Sequence, residues 1–426
     1  MSLVRIGLCI LLAFSVLAFG AVQTWSMSLL EIGAALLLVA WAFIVSRDTG
    51  AKIQWSPLNA PLLGFIAIGL LQLLFHRTAY PFLTRQELLK LAAYFIVLFL
   101  TAQAFRSRGD LSALAWFLVV LCFAVSLLAI IQHFTSNGKI YWFQEVASGA
   151  DVFGPFVNRN HFAGFLELTL PVGLALLAFR GVRRELFALA ALLTIVPLSA
   201  LVLSGSRGGI ISFVFGMGVL ALLARSCQEL RGPRMVAAIV MVALAAMALI
   251  AWVGARGAIE RFTPQHSNGI ELSRRASMFR GAAHIFLDHP VLGSGLGTLV
   301  SVYPRYETQY DGRIVDHVHN DYIEALAETG LLGGLCGLAF LWRLYRHARE
   351  NFQADQSHFS RALHAGAIAA LSALLLHSFA DFNLHIPSNA LLFLVMAYLA
   401  TSPPLPSESA APRHGQRMRE PASAVR

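Results

Sequence analysis

Long apolar runs separated by short polar connectors dominate this chain. The runs fall near 4–22, 27–46, 59–76, 88–105, 111–133, 161–179, 186–203, 209–224, 235–254, 321–342, 362–380 and 386–401. Crossing the hydrocarbon of a bilayer takes roughly 17–25 apolar residues in a helix, which satisfies every backbone polar group within its own segment. The pattern therefore predicts an all-α polytopic membrane protein with about twelve transmembrane helices. One connector breaks the rhythm. Residues 255–320, between the ninth and tenth spans, are too many for a plain link and are expected to be structured. Inside this loop, Met278, Phe279, Ala282, Ala283, Ile285 and Phe286 recur at helical spacing between Arg275 and Leu287, and Asp288-His289-Pro290 ends the run. An amphipathic helix on or near the membrane surface is expected there. Gly293-Ser294-Gly295-Leu296-Gly297 follows as a flexible turn, and without a βαβ unit around it the run is not a dinucleotide fingerprint. Residues 1–402 read as one transmembrane domain, and 403–426 as a disordered cytoplasmic tail.

Composition sharpens the class. A hydrophobic content of 57%, a charged content of 13% and a mean hydropathy of +0.66 exclude an ordinary soluble domain. The net charge of +9 does not indicate a nucleic-acid partner, because the basic residues are dispersed rather than gathered with aromatics in one patch. With a cytoplasmic N-terminus, one set of connectors carries most of the positive charge, including Arg47, Arg106, Arg183, Arg231, Arg346 and Arg361. The short opposite loops hold only Arg77, Arg85, Lys139, Arg159 and Arg207, and this bias places both termini in the cytoplasm. Arg5, the first apolar run and Ala18-Phe19-Gly20 also fit a cleavable signal peptide, so two readings of the first span stand. Cys9, Cys122, Cys227 and Cys336 have neither disulfide-framework nor zinc-site spacing.

With this orientation the unusual polar residues gather on the extracytoplasmic side. His317-Val318-His319-Asn320-Asp321-Tyr322-Ile323-Glu324 opens a hydrophobic helix, and imidazoles and carboxylates at the mouth of a membrane segment are costly to keep there. A helix N-terminus disfavours imidazolium, which suits His319 to work as a neutral general base; structural hydrogen bonding and metal ligation are its other uses. The His317/His319 pair alone is a weak metal signal, since no third and fourth ligand follow at recognisable spacing, and no metal is expected. Glu324 and Glu328 are suited to internal pairing or to orientation by backbone donors. Arg207 stands in the turn Ser204-Gly205-Ser206-Arg207-Gly208-Gly209, where glycines allow close backbone approach and the next helix offers N–H groups to an anion. Its guanidinium can hold a phosphate or snorkel to lipid headgroups; that it runs against the charge bias favours the phosphate. Arg274, Arg275 and Arg280 beside the amphipathic helix are further anion contacts or solvated charges. Asn158-Arg159-Asn160-His161 and Asp381-Phe382-Asn383 read as caps at span ends, with a substrate-facing role as the alternative.

In this order, these motifs resemble the superfamily of O-antigen ligases and polymerases of the bacterial envelope. The resemblance runs from about 150 to 400 and is carried by Asn-Arg-Asn-His-Phe-Ala-Gly-Phe-Leu from Asn158, the Ser-Arg-Gly-Gly turn, Asp288-His289-Pro290-Val291-Leu292-Gly293, and above all His319-Asn320-Asp321-Tyr322-Ile323-Glu324. It implies an all-helical membrane glycosyltransferase of the GT-C type in the bacterial inner membrane, its active site facing the periplasm. It also implies a polyprenyl-diphosphate-linked glycan donor and no metal or other cofactor. Residue by residue, the family's turn arginine falls on Arg207, the arginine heading the loop helix on Arg275, and the motif histidine on His319. Arg280, Arg274, His317, Asn320, Asn158, Arg159 and Asn160 are expected around the substrate. Fixed positive charge from the arginines suits a departing diphosphate, and a neutral imidazole suits removal of a hydroxyl proton.

The expected partners are that donor, a lipid A-core or growing-glycan acceptor, and membrane lipids. Ligase, exopolysaccharide polymerase and O-linked protein glycosylation ligase share this chemistry, and the motifs do not separate them. A twelve-span secondary transporter fits less well. Transporters tend to show internal repeats and midplane ionisable residues, whereas here the halves are dissimilar and the polar residues cluster at one interface.

Overall fold

A computed structural model describes all residues of the protein except Thr49, 147–151, 228–266, Asp311, Arg313 and 406–426. The ninth expected span, the first part of the long loop and nearly all of the tail lie outside the described residues. Among the described residues the helices are α1 (Ser2–Leu17), α2 (Thr24–Ser46), α3 (Asn59–Leu74), α4 (Pro81–Ala104), α5 (Arg108–Thr135), α6 (Arg159–Ala178), α7 (Phe187–Ser204), α8 (Arg207–Ser226), α9 (Ser267–Asp288), α10 (Asp321–Ala354), α11 (His358–His377) and α12 (Pro387–Thr401). Eight of them are long and apolar enough to cross a membrane, and α1, α3 and α12 are shorter apolar helices. The protein is an all-α polytopic membrane protein.

Burial separates a central layer from a peripheral one. The apolar window of α6 is 83% buried and that of α11 78%, against 17% in α2. Every residue of α12 is buried, the pattern of a helix apolar all round and enclosed by others. Small residues let these helices approach closely: a Cβ on Gly366 would lie 2.9 Å from the Val172 Cα, and one on Gly216 2.8 Å from the Ala369 carbonyl. At 15 residues, α12 reaches only about 22 Å, short of the roughly 30 Å hydrocarbon thickness. The turn in front of it is therefore set into the bundle, where irregular backbone is tolerated because protein groups satisfy it.

The long loop is structured where it is described. Helix α9 is longer than the expected 275–287 stretch, and its buried Met278, Ala282 and Ile285 pack with Leu299, Val302, Tyr303, Val318 and Ala327. That apolar stripe therefore meets protein. The Gly-rich segment 293–297, expected as a flexible turn, is instead locked in place. Helix α10 breaks at Gly330 (φ 63, ψ −161), and the loop backbone takes up the polar groups freed there. Ser294 N donates to Ala327 O at 2.9 Å, Gly295 N to Glu328 O at 3.1 Å, and Leu331 N to Pro290 O at 2.8 Å. Gln72 of α3 fastens the junction, donating to Leu292 O and Glu328 O and accepting from Leu296 N. A Cβ on Gly293 would lie 2.1 Å from the Glu328 carbonyl carbon, so glycine is needed there for backbone contact.

Candidate active site

Four turns converge at one end of the bundle: the start of α6, the α7–α8 turn, the 317–320 turn before α10, and the 378–386 turn between α11 and α12. Asp381, expected from the sequence to be a cap, is fully buried at their centre. Its Oδ2 accepts a hydrogen bond from Asn160 Nδ2 at 2.6 Å, and its Oδ1 lies 3.1 Å from His319 Nδ1 and 3.8 Å from His161 Nε2. Burial alone would raise the Asp381 carboxyl, but the imidazoles of His161 and His319 outweigh it and hold the group well below the usual carboxylate range.

The two expected arginines connect to the same centre. Ser206 donates its hydroxyl to Asn160 Oδ1 at 2.8 Å and caps α8 by accepting from Gly209 N at 3.2 Å, so the residue before Arg207 is two hydrogen bonds from Asp381. Arg207 is the first residue of α8 and is exposed, at the donor-rich end of the helix. Arg275 Nη1 donates to Ala380 O at 2.9 Å, one residue from Asp381. The turn glycines serve packing: a Cβ on Gly208 would lie 2.9 Å from His377 Nε2, and one on Gly209 2.4 Å from Ala163 Cβ. Beneath them His377 Nδ1 lies 2.8 Å from Glu167 Oε1, both side chains enclosed.

His319 adopts φ +53, a left-handed conformation that histidine tolerates better than bulkier residues. That turn divides the His317/His319 pair. With Nδ1 on Asp381, His319 keeps Nε2 for another partner, and its side chain is 27% exposed. His317 instead places Nδ1 2.6 Å from Glu324 Oε1, while Glu324 Oε2 accepts from Val318 N at 3.0 Å. Phe382 stands between the two groups. Its ring stacks on His317 at 4.4 Å and meets His319 edge-on at 5.0 Å and His161 at 4.7 Å. His385 joins the His317 side, with Nδ1 2.7 Å from Asp321 Oδ1 and Nε2 3.3 Å from Glu324 Oε1.

Other expected site residues have local tasks. Asn320 caps α10, accepting from Tyr322 N and Ile323 N, and donates to Phe379 O at 3.1 Å. Asn158 caps α6 through Asn160 N at 2.8 Å, and Arg159, half-buried, is that helix's first residue. Arg274 is half-buried on α9, and exposed Arg280 donates to Ala276 O on its own helix. Glu328 accepts from Gly297 N and Leu299 N, both at 2.9 Å. From the sequence, Asp381 is a cap or a substrate-facing residue, and His385, Glu167 and His377 carry no assigned role. The signal for Glu167 and His377 was there: each is an ionisable residue inside an apolar run, a position that points to function by default.

Residues 189–338 match the family model described as O-antigen ligase. That stretch includes Arg207, Arg275, His317, His319 and Glu324 but neither Asn160 nor Asp381. Over 335 residues the chain is 25% identical to the teichuronic acid biosynthesis protein TuaE of Bacillus subtilis (strain 168), an alignment covering 73% of this chain. The chain spans 64% of that relative's length. Over residues 189–338 this multi-pass membrane protein is thus similar to the O-antigen ligase family.

Proposed function

We propose that the protein is a membrane glycosyltransferase that moves a glycan from a polyprenyl-diphosphate-linked donor to a hydroxyl acceptor on the periplasmic face of the bacterial inner membrane. The observation that carries this reading is the convergence of the Arg207 turn, Arg275 and His319 on buried Asp381. In the proposed step the acceptor oxygen attacks the anomeric carbon of the donor. The bond from that carbon to the diphosphate oxygen breaks, and the hydroxyl proton passes to His319 Nε2. Attack opposite the leaving group inverts the configuration. Asp381 holds the imidazole through Nδ1 and steadies the positive charge it acquires. Arg207 and Arg275 neutralise the departing polyprenyl diphosphate, a task for which a planar guanidinium is suited.

The acceptor in this reading is a lipid A-core or another saccharide, as for an O-antigen ligase. The likeness to a teichuronic acid biosynthesis protein favours a second reading of the same site, a polymerase whose acceptor is a growing glycan. An O-linked protein glycosylation ligase uses the same chemistry. Deleting the gene and analysing every surface glycoconjugate tests the proposal. Loss of one polymer or glycoform, restored by the wild-type gene and not by a His319→Ala copy, is the expected result. Unchanged glycoconjugates, or restoration by His319→Ala, would overturn it.

A further inference from the structure

The division of the His317/His319 pair leaves a second cluster beside the His319–Asp381 pair. We propose that His317 Nδ1, Glu324 Oε1 and His385 Nε2 form a binding site for a divalent transition-metal ion of the Zn²⁺ class, with Asp321 as the outer carboxylate that orients His385. The three ligand atoms come from the turn before α10, the first turn of α10 and the short turn before α12, and all lie within 4.8 Å of one another.

Asp321 Oδ1 stands 2.7 Å from His385 Nδ1, which turns the Nε2 lone pair into the cluster. Metal-bound histidines are oriented in this way, with a carboxylate on the other ring nitrogen. Glu324 has one oxygen engaged by Val318 N and the other between the two imidazoles, 2.6 and 3.3 Å from them. Its carboxylate is 1% exposed, so its charge calls for a close cation, while the imidazoles are 28% and 22% exposed and leave a route from solvent. Two imidazoles and one carboxylate suit Zn²⁺ with a fourth position open, and suit Mg²⁺ or Ca²⁺ poorly, because those ions prefer oxygen throughout. The His317–Glu324 separation would widen as both atoms turned from each other to the ion. A bound ion would clip the 317–324 segment to the 381–387 turn, the two segments that carry His319 and Asp381. This inference does not rest on the glycosyltransferase reading, because occupancy is measured on the protein itself.

The test uses the full chain, freed of any histidine tag and purified in detergent without chelator. Elemental analysis, Zn²⁺ titration against a fluorescent competitor and thermal melting should give one ion per chain and a higher melting temperature with Zn²⁺. His317→Ala, His385→Ala and Glu324→Gln should each lose that ion, and Asp321→Asn should bind roughly 10–100-fold more weakly. His319→Ala should bind as wild type. Co²⁺ added to the wild-type protein should give visible d–d bands, a readout that needs no variant to fold. A wild-type Kd weaker than about 10 μM would overturn the proposal, as would a featureless Co²⁺ spectrum or undiminished binding in both histidine variants. The cluster would then be a hydrogen-bond network whose positive charge comes from protons.

Discussion

His319 Nδ1 lies 3.1 Å from Oδ1 of Asp381, a fully buried carboxylate 62 positions further along the chain. The contact fixes which imidazole nitrogen faces outward and separates His319 from His317. In the proposed reaction, His319→Ala removes the proton acceptor and should lower turnover by about 10²–10⁴. His317→Ala should cost far less, because its Nδ1 points to Glu324. Transfer assays on purified variants compare the two, and near wild-type turnover in His319→Ala would exclude it as the base.

Arg207→Ala and Arg275→Ala should each lower the rate by roughly 10²–10³, the usual cost of one electrostatic contact to developing charge. Lysine at either position should restore only part of the loss, since it lacks the two-pronged planar donor. If the arginines neutralise the diphosphate as proposed, turnover should not require added Mg²⁺ or Mn²⁺. A rate that depends on either ion would reassign that role.

The Asp381 carboxyl is held below its ordinary value, which sets the direction of its pH dependence. Its contribution to stability is fully present above the ordinary carboxyl value of about 4 and is lost as pH falls through the lower folded value. The melting-temperature gap between wild type and Asp381→Asn should therefore persist down to about pH 5 and close only under stronger acid. A gap that closes between pH 7 and 5 would contradict this assignment.

Glycine at 209 is required by packing between α8 and α6. Gly209→Ala would drive a Cβ to 2.4 Å from Ala163 Cβ and should destabilise by about 1–3 kcal/mol. Gly218, on the same helix, has nothing within 4 Å of an added Cβ. Gly218→Ala should be neutral or stabilising by up to about 1 kcal/mol, through helix propensity alone. Thermal melting of the two variants checks the contrast, and equal effects would refute the packing argument.

Topology follows from the charge bias. Reporter fusions at Val300 should give periplasmic signal and fusions at His347 cytoplasmic signal. The reverse pattern would move the proposed site to the other face of the membrane.

What the sequence determined by itself is what local physics controls. Hydrophobic runs had to become helices because lipid leaves no other way to satisfy their backbone, and the described helices cover most of each described run, although α4 starts earlier, at Pro81, and α10 continues beyond its run to Ala354. The cap at Asn158 was equally legible, since a cap acts on N–H groups two or three residues away. Packing alone decided the rest. Asn160 and Asp381 are 221 positions apart, and Asp321 and His385 are 64 apart, so no spacing rule connects them. Periodicity also could not show that 293–297 is locked, because the carbonyls it meets become available only where α10 breaks at Gly330. Nor could it show that two histidines separated by one residue face different carboxylates, since that depends on the left-handed backbone at His319 and on the bundle that places Asp381 and Glu324 on either side of Phe382.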